Sequence, residues 1–277
     1  MRDEANHIAA LEARFLAEHQ RAVRLRRWRG IALNILGVLL FLAVWEIIPR
    51  LGLANPVLFP PPSNVLEAAL PMFGSGEIPW NILVSLGRAG AGFLIAAVLG
   101  VAIGVATARA PLIRDLVEPL LHGFRSVPVI ALVPVSVLWF GIGEGAKVAL
   151  VATGAFFPIW INSFIGVRDV HEIYLRSAAC LGANRWQTLR YVVLPASLPF
   201  IIAGLRQGIA IALIVLVAAE LAGARAGVAY MMSMGHQLFR VDIMFAGLVI
   251  LGFLGFAGDR LFVALCRKLF PWYRPSA

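Results

Sequence analysis

Charged residues inside apolar segments are the clearest candidates for chemistry in this sequence. Arg88, Arg206 and Glu220 lie within or beside long apolar runs, and an unpaired charge in hydrocarbon costs about 2.5 kcal/mol or more. Arg206 and Glu220 are 14 residues apart, about 21 Å along a helix, so they cannot pair within one helix. All three are candidates either for a hydrated path that carries an anion or for ion pairs between helices. Near the span ends, Glu220, Asp259 and Arg260 could instead reach the headgroups.

The residue types that most enzymes need are missing from the apolar segments. All five histidines lie outside the apolar cores of these segments, whereas a metal or haem site in a helical bundle needs inward His, Cys or carboxylate ligands. No Gly-x-Ser-x-Gly nucleophile motif occurs. The nearest approach to a phosphate-binding loop is "GIGEGAKV", 141–148, where the spacing of Lys147 from the glycines does not fit that motif. We expect this stretch to be a loop between spans, and the chain to have no catalytic residue, no metal and no bound cofactor.

The elements that hold these charges are predicted to be membrane-spanning helices. Apolar residues make up 60% of the 277 positions and charged residues 14%, and the mean hydropathy is +0.85, outside the range of soluble domains. A spanning helix needs about 20 apolar residues. The third span, which contains Pro128 and Pro134, is the weakest, since its apolar core covers only 127–140. We predict an all-α polytopic membrane protein with about six spans: 30–48, 82–108, 120–140, 149–167, 197–219 and 243–266.

The distribution of positive charge determines the predicted orientation. With six spans and a cytoplasmic N-terminus, 18 of the 24 Lys and Arg residues fall on the cytoplasmic side, counting Arg125 and Arg260 at the cytoplasmic ends of their spans, as the positive-inside rule requires. Omitting the span at 120–140 would invert every later segment, so the charge pattern supports that span. Both termini and both cysteines, Cys180 and Cys266, are then cytoplasmic, where thiols stay reduced. Membrane orientation thus accounts for the net charge of +9, which does not indicate nucleic-acid binding.

Three parts are predicted along the chain: a cytoplasmic N-terminal segment 1–29, a membrane domain 30–266 and a cytoplasmic tail 267–277. Residues 3–25 have the pattern of an amphipathic helix, either a solvated orientation signal or a partner-binding helix. In the membrane domain, small residues recur every four positions in two series, which predict close helix contacts within one chain, at a subunit interface or along a pathway. The series are Gly92, Ala96, Gly100, Gly104 and Ala108, and Gly204, Gly208 and Ala212.

A polar segment on the predicted cytoplasmic side, 168–195, interrupts the apolar runs; we call it the inside loop. Its sequence "EIYLRSAACLGANRWQTLRYVVL" favours helix except at Gly182, which predicts helix, turn and helix. Because the residue before a proline disfavours helical backbone, Leu194-Pro195 is predicted to end the second helix. Three residues are predicted to form an apolar face that docks a soluble partner: Ala178, Leu181 and Trp186.

The inside loop resembles the EAA loop of binding-protein-dependent ABC transporter permeases, whose signature is E-A-A-x3-G-x9-I-x-L-P. Gly182 stands at the Gly, Val192 at the Ile and Leu194-Pro195 at the end, with full spacing. Arg176 stands where the family usually has Glu, which inverts the charge at one docking position. The resemblance implies that the loop couples the chain to a separate ATPase. The coupling residues it implies are Arg176, Ser177, Ala178, Ala179, Leu181, Gly182, Ala183, Trp186, Leu194 and Pro195.

The resemblance extends from about residue 33 to the C-terminus. Stretches such as "SLGRAGAGFLIA", "FRSVPVIALVPVSVLWFGIGEGAK" and "LPASLPFIIAGLRQGIA" are similar to the nitrate, sulfonate, taurine and bicarbonate branch of these permeases. Within that branch the taurine permeases are the most similar, since they too have Arg at the position of Arg176 and a Pro-Trp tail, here Pro271-Trp272. The resemblance implies the fold of a type I ABC importer permease.

By this resemblance the chain is expected to be a permease subunit in the bacterial inner membrane. Two copies would form the translocation path, two ATPase subunits on the cytoplasmic side would bind ATP and Mg, and a periplasmic solute-binding protein would deliver the cargo. The expected cargo is a small organic anion, taurine or another aliphatic sulfonate. Nitrate, bicarbonate and a small heteroaromatic compound are the alternatives.

Two other classes of function are distant alternatives. A membrane-embedded enzyme acting on a lipid or prenyl substrate would need acidic metal-binding motifs on the inside segments, where the acidic residues are sparse. These are Asp115, Glu118, Asp169 and Glu172. An exporter or a non-catalytic structural subunit of the same superfamily is disfavoured by the importer loop signature and by the long outside loop after the first span.

Overall fold

The computed structural model describes residues 26, 28–30 and 32–272. This part of the chain is almost entirely helical and contains no strand, which confirms the predicted all-α fold. A 3-10 turn at Val129–Leu132 precedes α5, and a π-helical turn at Leu189–Val193 joins α8 to α9. The predicted amphipathic helix at 3–25 lies outside the described residues. The helices are α1 (Trp28–Arg50), α2 (Pro62–Gly74), α3 (Glu77–Arg109), α4 (Pro111–Arg125), α5 (Val133–Phe140), α6 (Glu144–Arg168), α7 (Glu172–Cys180), α8 (Arg185–Thr188), α9 (Leu194–Leu221), α10 (Val228–Gln237) and α11 (Val241–Leu269).

Five helices of the described chain are long and apolar enough to cross a membrane: α1, α3, α6, the continuous helix Arg185–Leu221 and α11. Each predicted span other than 120–140 lies within one of them. The segment 120–140 is divided between the end of α4, the 3-10 turn and α5. The helix before the break, Pro111–Arg125, and the helical segment after it, Val129–Phe140, meet at an angle of 91°. Pro128 adopts an extended conformation at the break and has no N–H to continue a helix. The bent pair makes a sixth crossing if its halves count as one span.

Contacts divide the chain into two compact units, Met1–Leu66 and Glu67–Ala277. In the first unit, side chains at the end of α1 bind the proline-rich stretch that follows. Trp45 Nε1 donates to the carbonyl oxygen of Pro60 at 3.1 Å, and a Glu46 oxygen accepts from the backbone N–H of Ser63 at 3.0 Å. Arg50 Nη2 donates to Ser63 Oγ at 3.1 Å. These bonds hold the stretch 55–63 against the C-terminal end of α1.

In the second unit, α6 packs between α3 and α9. The side chain of Ile159 on α6 is fully buried and lies between Gly100 of α3 and Gly208 of α9. A Cβ atom added at Gly100 would lie 2.9 Å from Ile159 Cγ2, and one added at Gly208 would lie 2.7 Å from Ile159 Cδ1. Both distances are shorter than real Cβ contacts, so a larger residue at either position would force Ile159 to shift. The two small-residue series therefore serve packing within one chain.

The short helix α10 lies antiparallel against the start of α11. Gly235 contacts Ile243, and Gly247 contacts Met232. Val228 at the start of α10 packs with Ile78 at the start of α3. This packing places the first residues of α10 beside α3, at the end of the second unit opposite to the inside loop.

Candidate functional site

Arg88 lies at the centre of a buried group that we call the ionic cluster, which it forms with Glu144 and Glu220. Its side chain is only 5% exposed, and Nη1 donates to Glu220 Oε1 at 2.8 Å and to the carbonyl oxygen of Ala226 at 2.6 Å. Nη2 donates to Glu144 Oε1 at 2.7 Å, and Nε also donates to Glu144. Of the two alternatives that the sequence leaves open for Arg88 and Glu220, a hydrated path or ion pairs between helices, the structure shows ion pairs between helices. The alternative in which Glu220 reaches the headgroups is wrong, because its side chain is 0% exposed.

The glutamate that completes the cluster belongs to a stretch that the sequence predicted to be a loop. That prediction is wrong for the second half of 141–148, because α6 begins at Glu144. Gly143 precedes the helix in an extended conformation, and Lys147 lies in the first turn, 3.6 Å from a Glu144 oxygen. The Glu144 side chain is 64% exposed, so it is the accessible member of the cluster. Its pairing with Arg88, 56 positions away, leaves no local sequence signal.

Side chains of α3 and α9 satisfy the N-terminus of α10. The first N–H groups of a helix have no partner within it. Here the backbone N–H groups of 227–229 donate in turn to Asn81 Oδ1 at 2.7 Å, Ser85 Oγ at 2.9 Å and Glu220 Oε2 at 3.0 Å. Glu220 therefore binds both the guanidinium of Arg88 and the backbone of α10. The ionic cluster joins α3, α6, α9 and α10 at one place.

Arg206 on α9 pairs with Asp259 on α11. Nε and Nη2 of the guanidinium donate to the two carboxylate oxygens at 2.5 and 2.9 Å, the bidentate geometry of a strong charge-assisted pair. The two side chains are 41% and 33% exposed, and both border a groove between α9 and α11 with a volume of about 490 Å³. The sequence leaves open for Arg206 a partner on another helix or a hydrated cavity, and the structure shows a partner on α11 beside an open groove. The partner, Asp259, lies 53 positions from Arg206 in the sequence, and no sequence signal identified it as the partner.

The inside loop folds as helix, turn and helix, with the turn at the predicted glycine. α7 ends at Cys180, and Gly182 has φ +73°, a left-handed conformation that glycine adopts without strain. Asn184 then caps α8, accepting from the N–H of Gln187 at 2.8 Å, while the Gln187 side chain accepts from the N–H of Asn184 at 2.8 Å. This capping box makes the start of the second helix well defined.

The predicted apolar face of the inside loop is only partly present. Leu181 and Trp186 are 88% and 65% exposed, but Ala178 is only 6% exposed and lies at the floor of a groove. This open groove of about 610 Å³ lies beside Leu181, lined also by Tyr174, Ser177, Tyr191 and Pro195. Arg176, the position of inverted charge, pairs with Glu172 one turn away at 2.8 Å. Among the other predicted coupling residues, Ala179 is exposed and Ala183 and Leu194 are half-buried.

The prediction that Leu194-Pro195 ends the second helix is wrong. Leu194 is helical, with φ −61° and ψ −46°, and the helix continues unbroken over Arg185–Leu221, 37 residues. The N–H of Leu194 bonds to the carbonyl of Leu189, five positions back, in the π-helical turn. This wider turn makes room for Pro195, whose ring would clash with a carbonyl in a regular α-helix. The inside loop is thus a direct extension of a spanning helix.

Comparison with known proteins places these features in a family. Residues 96–271 match the family described as "Binding-protein-dependent transport system inner membrane component". The chain belongs to this family. It is therefore a multi-pass permease subunit of an ABC importer, not an enzyme. The inside loop, Arg206, Glu220 and Asp259 lie within the matched residues, and Arg88 lies before them.

Relatives of this permease match it over most of their length. The taurine transport system permease protein TauC of Escherichia coli (strain K12) is 33% identical over 255 residues, covering 89% of this chain and 93% of TauC. A putative aliphatic sulfonates transport permease, SsuC of Bacillus subtilis (strain 168), is 36% identical over 231 residues, with coverage of 83% and 84%. A chain of the methionine ABC transporter MetNI, solved in an inward-facing conformation, has a similar fold. Its TM-score is 0.56 at 23% identity, covering 70% of this permease and 98% of that chain.

The permease offers no metal-binding group within its described ranges, where no three His, Cys, Asp or Glu side chains converge. Cys180 is exposed, Cys266 is buried, and both are free thiols. Arg88 and Arg206, the two cations inside the apolar runs, are instead held in ion pairs with carboxylates of other helices.

Proposed function

We propose that this permease imports taurine or another aliphatic sulfonate and that a separate ATPase drives it from the inside loop. The observation that carries the substrate class is the similarity, over most of the chain, to permeases named for taurine and for aliphatic sulfonates. We further propose that two copies form the path, with two ATPase subunits that bind ATP and Mg and a periplasmic binding protein. The proposed location is the bacterial inner membrane, with both termini cytoplasmic and the bent pair α4 and α5 as the third of six spans.

The proposed coupling rests on the continuity of the inside loop with α9. Leu181 and Trp186 are the exposed apolar side chains of the turn and of α8. Exposed apolar side chains of this kind become desolvated anchors when a protein interface forms. A force applied at α8 acts on one continuous helix of 37 residues, about 55 Å long. That helix carries Arg206 near its middle and Glu220 at its far end. The π-helical turn between α8 and α9 is a natural bending point, since such turns interrupt the regular bond pattern.

The three charged residues proposed for the path differ in access. Arg206 is 41% exposed and borders a groove, which supports a place in the path. Arg88 and Glu220 have 5% and 0% exposed side chains, which favours a structural role in the ionic cluster. We therefore propose Arg206 as the path residue of the three.

Uptake of labelled substrate tests the proposed cargo. Deletion of the gene is expected to abolish high-affinity uptake of labelled taurine and growth on taurine as sole sulfur source, and reintroduction of the gene restores both. Labelled nitrate, bicarbonate and a heteroaromatic compound are measured in the same strains. Loss of one of these uptakes with taurine uptake unchanged would reassign the cargo and leave the permease assignment intact.

Substitution of Gly182 tests the proposed coupling. No atom lies within 4 Å of a Cβ added at Gly182, so its conformation, not its space, limits replacement. Gly182→Val is expected to abolish ATP-driven uptake, because a β-branched residue strains the left-handed turn. Gly182→Asn, which tolerates that conformation, is the matched control and keeps most of the uptake. Equal uptake by the two variants, at equal membrane levels of permease, contradicts the docking role.

A further inference from the structure

Arg206 and Asp259 place a half-exposed pair of charges deep within spanning helices. Arg206 lies about 18 Å from the start of α9 and about 22 Å from its end. Asp259 lies about 15 Å from the end of α11 on the same side. With a hydrocarbon core about 30 Å thick, Arg206 lies near the middle of its span, and Asp259 lies between the middle and the nearer end of α11. Charges within spans almost always face protein or a hydrated cavity, which favours a groove shielded from lipid.

This groove is apolar apart from the ion pair at one end. Its volume is about 490 Å³, enough for a small organic ion with several waters. Leu213 and Ile214 of α9 form one wall, while Gly252 and Gly255 of α11 leave backbone without side chains on the other. The groove therefore combines space, an apolar wall and two opposite charges that remain 41% and 33% exposed.

We propose that Arg206 and Asp259 form a substrate subsite for a zwitterion, the sulfonate binding at Arg206 and the ammonium at Asp259. This assignment rests on the proposed function and deepens it. Taurine carries a sulfonate and an ammonium group separated by an ethylene unit. When the zwitterion binds, Arg206 releases Asp259 and pairs with the sulfonate, while Asp259 pairs with the ammonium. Two ion pairs with the ligand thus replace one ion pair within the protein. No charge is left uncompensated in the low-dielectric groove.

A simple anion has no positive group that could pair with Asp259. Bound at Arg206, it would separate the guanidinium from Asp259 and leave the carboxylate without its bidentate partner, with only the adjacent Arg260 as a neighbouring cation among the described residues. The loss of a charge partner within a span is costly. The subsite therefore favours amino-sulfonates over sulfonates without an amino group, and it supplies a selectivity in the permease besides that of the binding protein.

The test measures initial uptake rates of labelled taurine and labelled isethionate, which carries a hydroxyl in place of the ammonium. The complete transporter with its ATPase and binding protein is reconstituted in proteoliposomes. Asp259→Asn is expected to lower the ratio of taurine to isethionate uptake about tenfold, the loss of one charged hydrogen bond. Arg206→Gln is expected to lower both rates. Gly252→Leu, which fills the groove from a position with no atom within 4 Å of an added Cβ, is expected to lower both as well. Gly37→Leu, at an equally open position on α1, is its control.

A charge-swapped variant separates this subsite from a purely structural pair. The double substitution Arg206→Asp with Asp259→Arg restores an ion pair but exchanges the two binding positions, so thermal stability recovers while taurine uptake stays low. Recovery of taurine uptake in the swapped variant, or an unchanged uptake ratio in Asp259→Asn, overturns the subsite alone. Absence of taurine uptake by the unsubstituted transporter overturns the proposed substrate and the subsite with it.

Discussion

Arg88 Nη1 donates to Glu220 Oε1 at 2.8 Å, across 132 positions of the sequence. The guanidinium is shared with Glu144 at the start of α6, and the Glu220 carboxylate also accepts from the backbone of Ala229 in α10. A single buried pair thus links four helices at the end of the unit farthest from the inside loop. Any motion of α9 that the inside loop transmits must either carry this cluster along or break it.

Removing Arg88 is expected to be the most destabilising change in the ionic cluster. Arg88→Met leaves the buried Glu220 carboxylate without a cation and should cost about 3–5 kcal/mol. Glu144→Gln alters a carboxylate that is 64% exposed and should cost much less. The double variant Arg88→Met with Glu220→Leu should be more stable than Arg88→Met alone. Thermal unfolding of the purified permease in detergent measures all three, and equal losses in the two single variants would contradict the ranking.

Gly227→Ala is expected to displace α10. Gly227 has φ +124°, and an added Cβ would overlap the Glu220 carboxylate, so the variant is both strained and sterically blocked. We expect a loss of about 2 kcal/mol or more of stability, together with faster hydrogen exchange of the amides of 227–229. Gly252→Ala, where no neighbour lies within 4 Å, is the control and should unfold like the original. Unchanged exchange in Gly227→Ala would show that α10 does not depend on Glu220.

Ile159 and Gly208 should show coupled effects on stability. Gly208→Ala forces a Cβ against Ile159 Cδ1, which would lie 2.7 Å away, and overpacking of this kind costs about 1–3 kcal/mol. Ile159→Ala removes that atom together with Cγ1, which would lie 2.8 Å from the added Cβ, and costs about 2–5 kcal/mol by itself. The double variant should lose less stability than the sum of the two, by about 1 kcal/mol. Additive losses in thermal unfolding would place the strain elsewhere.

Trp186→Ala and Leu181→Ala should weaken ATPase binding without destabilising the permease. Their side chains are 65% and 88% exposed, so little packing is lost within the chain. As interface anchors each should contribute at least about tenfold to affinity. Leu238→Ala, 64% exposed at the opposite end of the second unit, is the matched control. The measurement is the amount of ATPase that co-purifies with each variant, and equal amounts in all three would place the docking surface elsewhere.

Local sequence signals correctly predicted the helix, turn and helix of the inside loop, but they did not predict that its second helix continues past Pro195. Gly182 and the residues around it specify a turn because a left-handed conformation and a capping box depend on near neighbours. The rule that a helix ends before proline failed at Pro195, because the π-helical turn relieves the clash that the rule assumes. The segment 120–140 shows the same limit, since its prolines marked a break but not the bend of 91°.

The sequence by itself determined the membrane class, the apolar helices, the position of the inside loop and the family. These properties depend on composition, on runs of about 20 residues and on short spacings, all of which are local. Only the tertiary structure decided which charge binds which, that Glu144 and Asp259 belong with Arg88 and Arg206, and that a groove remains beside the second pair. Those pairings join residues 53 to 132 positions apart. Such contacts are determined by how helices pack, because the cost of burying a charge fixes the need for a partner but not its identity.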